Sequence, residues 1–111
     1  VCSTELVQGV VIARKSFVNE HPEAIEQFLR EYEKSSAFVN ENIDEAAKLI
    51  VDAGILGNVE IAKKAIPNCN ISFSKGEAMH KAVEGMLTVL FEANPKSIGG
   101  KLPDKDFYYG I

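Results

Sequence analysis

The feature that most constrains the fold is a short uncharged run near the start of the chain, LVQGVVIA, from Leu6 to Ala13. Valine and isoleucine favour strands, and in this run apolar residues fall on both of the faces that alternate along a strand. A strand that is apolar on both faces is typical of a sheet covered on each side. The run therefore predicts a buried strand, which ends at Arg14 and Lys15.

The next part of the chain carries the signals of three helices. The first begins at Pro22, because proline lacks the N–H that a first helical turn leaves unpaired, and Glu23 suits the positive end of the helix dipole. Asn42 and Asn58 are favourable N-cap residues and predict two shorter helices behind them. The buried face predicted for the first helix consists of Ile25, Phe28, Leu29, Tyr32, Ser36 and Val39.

The last third of the chain predicts a short strand, a fourth helix and an irregular tail. Residues 70–73 alternate between polar and apolar, as a short strand does. Ser74 and Glu77 have the spacing of a capping box, and the apolar stripe behind them continues until Pro95. The residue pattern alone therefore predicts a mainly helical domain with one strand at its start and a second short strand near its middle.

The composition suits one globular domain covering residues 1–111, with a formal net charge of −4 from 12 basic and 16 acidic residues. No basic stripe interleaves with aromatic residues, so we expect no nucleic-acid partner. The longest purely apolar run, Val10 to Ala13, is far too short for a membrane-spanning helix.

The tail from Asn94 to Gly110 combines glycines, charges and aromatic residues. Gly99–Lys101 lacks the hydroxyl residue and the helix start that a phosphate-binding loop requires. Asp104 and Asp106 lack the glycine and the bidentate glutamate of a calcium loop. The dense aromatic run Phe107–Tyr109 needs a surface to cover it. We therefore predict that the tail is a strap that packs on the core.

Histidine and cysteine give no catalytic or metal-binding constellation, so no cofactor and no metal are expected. His21 stands at a helix entry, where it could act as a cap, and His80 stands at the edge of an apolar stripe. Cys2 and Cys69 are too far apart in sequence for a CxxC motif. They could pair in an oxidising compartment or be two separate small buried residues.

Two longer patterns cover nearly the whole chain. In the first, a strand is followed by Arg-Lys, an aromatic residue, an acidic stretch, His-Pro-Glu, a long helix and an Asn-x-x-Glu-Ala-Ala helix. Its residues are Arg14, Lys15, Phe17, His21, Pro22, Glu23, Asn42, Glu45, Ala46 and Ala47. The second pattern, residues 66–110, contains Pro67, Asn68, Cys69, Asn70, Gly76, Asn94, Pro95, Gly99, Gly100, Leu102, Pro103, Phe107, Tyr108 and Tyr109.

Together these patterns resemble the C-terminal portion of bacterial substrate-binding proteins of ABC importers, in the branch associated with nitrate, sulfonate, taurine and thiamine-precursor uptake. The resemblance implies two α/β lobes that hold a ligand in the cleft between them. It implies that this chain is an α/β fragment, mainly helical, with about four helices and one or two short strands, belonging to the first lobe. Most of the cleft would then lie outside the chain.

The function implied by the resemblance is capture of a small-molecule solute for an ABC permease, without bond-breaking and therefore without enzymatic activity. The implied location is outside the cytoplasm, in the periplasm or lipid-anchored at the cell surface. By position, Thr4, Glu5 and Gln8 would lie near the ligand, just ahead of the strand that returns to the first lobe. The alternative for these three residues is simple exposure to solvent.

Two other functions remain open from the sequence. One is a self-contained helical interaction or regulatory module. The other is an enzyme, because pyrimidine-precursor synthases share the architecture of the family, but that function would need an active site built on a histidine. If the chain is such a fragment, the strand from Leu6 to Ala13 lacks its sheet neighbours, which predicts that copies of the fragment associate by strand pairing or swapping.

Overall fold

The computed structural model describes residues 5–111 and is built of helices joined by turns. The α-helices are Lys15–Glu20 (α1), Pro22–Glu41 (α2), Ile43–Asp52 (α3), Val59–Ala65 (α4) and Gly76–Ala93 (α5). Short 3-10 turns occupy Ile66–Asn68, Pro95–Ile98 and Lys105–Phe107. The prediction of a mainly helical chain is confirmed.

The chain divides into two compact units. The middle unit is Ala13–Phe73, and the terminal unit combines Ser74–Ile111 with the residues up to Ile12. The interpretation of residues 1–111 as one domain stays a prediction. In the part of the chain that the structure describes, no helix is long and apolar enough to cross a membrane.

Neither predicted strand is present among residues 5–111. The segment from Leu6 to Ala13 has no regular secondary structure, and residues 71–73 have none either. A strand exists through hydrogen bonds to a neighbouring strand, and the described part of the chain supplies no such neighbour. In the second predicted strand, residues 70–73, Asn70 has φ +51°. This left-handed conformation interrupts an extended run.

The core of the middle unit is formed where α3 and α4 pack against each other and against the end of α2. Its buried residues are small, and small side chains let helix backbones approach closely. Lys63 of α4 lies 3.5 Å from the Asp44 carboxylate of α3 and 3.4 Å from Glu60 of its own helix. The buried cluster consists of Ala46, Ala47, Ala62 and Ile66, bordered by Phe38, Val39, Ile43, Ile50 and Val59.

The helix starts follow the predicted capping residues only in part. Asn58 caps α4 as predicted, because its Oδ1 accepts a hydrogen bond from the Ile61 N–H at 3.1 Å. Asn42 precedes α3 but does not cap it with its side chain, and its amide instead donates to the Phe38 carbonyl at 3.4 Å. The predicted capping box of Ser74 and Glu77 is wrong, because α5 begins one residue later than that box requires.

The terminal unit is built along α5. The N–H of Val7 donates to the Met86 sulfur at 3.2 Å, which attaches the N-terminal segment to the helix. Asn94 caps the 3-10 turn after α5, because its side chain accepts a hydrogen bond from the Lys96 N–H. Gly99 and Gly100 have φ of +85° and +88°, so the glycine pair supplies turn positions with left-handed backbone.

Candidate functional site

Two acidic side chains of the terminal unit flank His80 on α5. The imidazole side chain is only 14% exposed, with Nδ1 lying 3.7 Å from Glu77 Oε2 and Nε2 lying 3.7 Å from Glu84 Oε2. Residues three and four positions apart share a helix face, which explains why both carboxylates reach the ring. We call this group, with Tyr108, the His80 cluster.

Tyr108 brings the C-terminal segment onto this cluster. Its ring centroid lies 4.3 Å from that of His80, and Phe107 packs edge-on against the same tyrosine at 5.2 Å. Tyr108 is 7% exposed, while Phe107 is 59% exposed. Tyr108 is thus the buried aromatic residue of the predicted strap.

The hydroxyl of Tyr108 is buried and has no hydrogen-bond partner among residues 5–111. Burial raises the pKa of Tyr108, because the phenolate loses water contacts, and the negative charge of Glu84 raises it further. The neutral phenol is therefore the form that the fold favours. A buried donor without an acceptor is unfavourable, so this hydroxyl is a weak point in the packing of the strap.

An imidazole between two carboxylates could in principle transfer protons. At 3.7 Å, however, the ring nitrogens lie beyond hydrogen-bond distance of both carboxylates, and Tyr108 covers the ring. A catalytic base also needs space for a substrate beside it, and here the tyrosine takes that position. The geometry favours a packing role, in which His80 holds the C-terminal strap.

The residues predicted to bind a ligand do not form a site in the described structure. Glu5 and Gln8 are exposed on the irregular N-terminal segment, and Thr4 lies outside the described residues. Two surface depressions lie elsewhere, on the first turns of α2 around Glu23 and at the start of α3. Both are open to solvent.

The remaining chemical candidates also lie apart from one another. His21 precedes α2 without a side-chain cap, and its ring lies 4.9 Å from that of Phe17. Cys69 is an exposed free thiol rather than a buried residue, and its predicted companion Cys2 lies outside the described residues. No group of three or more His, Cys, Asp or Glu side chains suited to a metal ion occurs in residues 5–111.

Sequence reasoning did not identify the His80 cluster, although half of it is visible in the sequence. Glu77 and Glu84 stand three residues before and four residues after His80, which is a helical spacing that predicts contact. The contact with Tyr108 has no such signal, because an irregular tail has no period that shows which aromatic residue turns inward.

Comparisons with models of protein families, with curated proteins and with solved structures found no match to this chain. The functional interpretation therefore depends on the residues and contacts described above.

Proposed function

We propose that this chain is the C-terminal portion of an extracytoplasmic substrate-binding protein, which captures a small solute and delivers it to an ABC permease. The protein would reside in the periplasm or, lipid-anchored, at the cell surface. The binding is non-enzymatic, and the ligand lies in a cleft between two lobes that is formed mostly by residues other than these. The two sequence patterns described above support the proposal.

The observation that carries the proposal is the uncovered state of the N-terminal segment. Leu6 is 74% exposed, Ile12 is 82% exposed, and Val10 and Val11 are both more than half exposed. Apart from the bond between Val7 and Met86, residues 6–13 make no hydrogen bond within the described chain. An apolar run with unpaired backbone groups is what a central sheet strand becomes when its neighbours are absent.

A second uncovered surface lies on α2. Phe28 is 47% exposed and stacks on Tyr32 at 5.7 Å between ring centroids, and Tyr32 in turn contacts Phe73 at 5.8 Å. Phe28 and Tyr32 lie on the face of α2 that the helical period predicts to be buried. We call Phe28, Tyr32 and Phe73 the aromatic ladder. In the proposed protein, other segments of the same polypeptide cover this ladder. Glu5 and Gln8, with Thr4, face the ligand.

The gene that encodes the chain provides the first test. The proposal expects a reading frame with about 200 further residues before Val1, the size of a second lobe and the rest of the first, preceded by a secretion signal or a lipid-anchor signal. A reading frame without these residues and without such a signal would overturn the proposal.

Ligand binding by the whole encoded protein is the second test. We expect calorimetric titration with nitrate, taurine, an alkanesulfonate and a thiamine precursor to detect binding of one of them. Glu5→Ala and Gln8→Ala should weaken that binding, whereas Asp104→Ala should not, because Asp104 lies in the C-terminal tail. Unchanged affinity in both variants would overturn the assignment of these two residues to the ligand site.

The aromatic ladder favours one second candidate, the helical interaction module. In that function, Phe28 and Tyr32 form a docking surface for another protein rather than a surface for the chain's own second lobe. The gene separates the two candidates, because an interaction module needs neither a second lobe nor a secretion signal.

A further inference from the structure

We propose that two copies of this chain pair through residues 6–14, as antiparallel strands related by a two-fold axis at Val10. The partner is thus a second copy of the chain, and the contact is the pairing of one exposed sheet edge with itself. The proposal concerns the 111-residue chain and does not depend on solute capture.

The backbone of the segment has one edge available for pairing. In a strand, successive residues direct their N–H and C=O groups to opposite edges. The Val7 N–H is directed at Met86 of its own chain, so odd-numbered residues face the terminal unit. The opposite edge belongs to Gln8, Val10 and Ile12, which have no hydrogen-bond partner among residues 5–111. Arg14, immediately before α1, has φ −70° and ψ +136°, which is extended geometry.

The distribution of charge selects the antiparallel arrangement. The segment has one acid at its beginning, Glu5, two bases at its end, Arg14 and Lys15, and no charge between them. Antiparallel copies place the acidic end of each against the basic end of the other, at both ends of the pair. A parallel arrangement would place like charges together at both ends.

The position of the axis follows from the requirement that a residue on it faces its own copy. An axis at Val10 places valine opposite valine at the centre, Gln8 opposite Ile12 and Leu6 opposite Arg14. Glu5 of each copy then lies next to Arg14 and Lys15 of the other, where the strand ends and α1 begins. An axis at Gly9 would place glycine opposite glycine, which provides no side-chain contact across the strands. An axis at Val11 would place Val7 opposite Lys15 and move Glu5 away from both basic residues of the other copy. Val10 is therefore the favoured centre.

The segment also lacks the features that normally prevent edge pairing. Exposed edges are usually protected by lysine, proline or a bulge, and the run from Leu6 to Ala13 contains neither lysine nor proline. Leu6 and Ile12, the most exposed of its large apolar side chains, would be covered in part by the second copy. Pairing therefore satisfies backbone groups and removes apolar surface from water together.

Charge reversal tests this arrangement by sedimentation equilibrium at low salt. We expect the unaltered chain to be dimeric, and both Glu5→Lys and the double variant Arg14→Glu/Lys15→Glu to dimerise roughly tenfold or more weakly, because each places like charges together at both ends. A mixture of the two variants should form a heterodimer, because one then contributes only bases and the other only acids. Circular dichroism checks that both variants keep their helices.

Disulfide trapping tests the position of the axis. In a background with Cys2→Ser and Cys69→Ser, Val10→Cys places two thiols directly opposite each other, at a Cα separation of about 5.5 Å that a disulfide can bridge. Ile12→Cys is the matched control, because its two thiols would lie about 13 Å apart along the strands. We expect rapid crosslinking of the first variant and at least tenfold slower crosslinking of the second.

Three results would overturn the proposal: a monomer throughout the micromolar range, no heterodimer in the mixture, or equal crosslinking of the two cysteine variants. Each of these leaves solute capture by a longer protein intact. Conversely, a gene without further residues and without a secretion signal overturns solute capture and leaves the dimer intact.

Discussion

Replacing Tyr108 by phenylalanine removes the one atom of the strap that the fold buries without a partner. The ring stays against His80, whose centroid is 4.3 Å away, so the packing is preserved. The hydroxyl is lost, and with it an unsatisfied buried donor. We expect Tyr108→Phe to stabilise the chain, although most substitutions of buried residues destabilise.

The magnitude follows from the burial of the hydroxyl. Leaving a buried polar group unsatisfied costs about 1–3 kcal/mol, and we take about 1 kcal/mol as the gain because a small rearrangement could hydrate the group. For a chain of this size, about 1 kcal/mol raises the Tm by about 4 °C. The measurement is thermal unfolding followed by circular dichroism at pH 7, repeated by urea titration.

Tyr32→Phe is the matched control, because it removes a hydroxyl from a residue that is 42% exposed. We expect no change in Tm for this variant. A Tm for Tyr108→Phe several degrees below that of the unaltered chain would refute the reasoning, because it would mean that the hydroxyl makes a favourable hydrogen bond in solution.

Three further outcomes follow from the same contacts. Ile66→Ala should lower the free energy of unfolding by about 2–5 kcal/mol in urea titration, because Ile66 is the largest side chain in the alanine-rich core. Asn58→Ala should lower it by about 0.5–2 kcal/mol through loss of the α4 cap, whereas Asn42→Ala, which removes no side-chain cap, should change it less. Stability should fall as the pH rises above about 10, because the raised pKa of Tyr108 means that the folded chain holds this proton more tightly than the unfolded chain. Tyr108→Phe should reduce that alkaline loss, and an unchanged loss would contradict the assignment.

Four of the five α-helices could be predicted from the sequence because their signals are local, whereas α1 was not predicted. Pro22 begins α2 and Asn58 caps α4 as predicted, and α5 ends before Pro95. The prediction of where α5 begins was wrong, and the reason is also local. The helix begins at Gly76, so Glu77 is its second residue rather than the third, and Ser74 stands outside the cap position.

Both predicted strands are absent from residues 5–111, because a strand depends on a neighbour that local sequence signals do not reveal. The run from Leu6 to Ala13 has strong strand propensity, but propensity does not supply hydrogen-bond partners. The contacts of the His80 cluster could likewise be predicted only in part. The contacts of His80 with Glu77 and Glu84 follow from helical spacing, whereas its contact with Tyr108 depends on the path of an irregular tail.

The scarcity of large buried side chains connects the two proposals. In the described chain the buried apolar residues are three alanines, Ile66 and Tyr108. An alanine buries a single methyl group, so this core removes little apolar surface from water. Larger apolar residues, such as Ile12 and Phe28, lie at the surface instead. A chain with this distribution gains stability from whatever covers those residues.

In the solute-capture proposal, other segments of the same polypeptide cover these exposed apolar residues. In the dimer proposal, a second copy of the chain covers part of them. Both would use the same edge at Val10, so further chain that pairs with this edge must compete with the dimer.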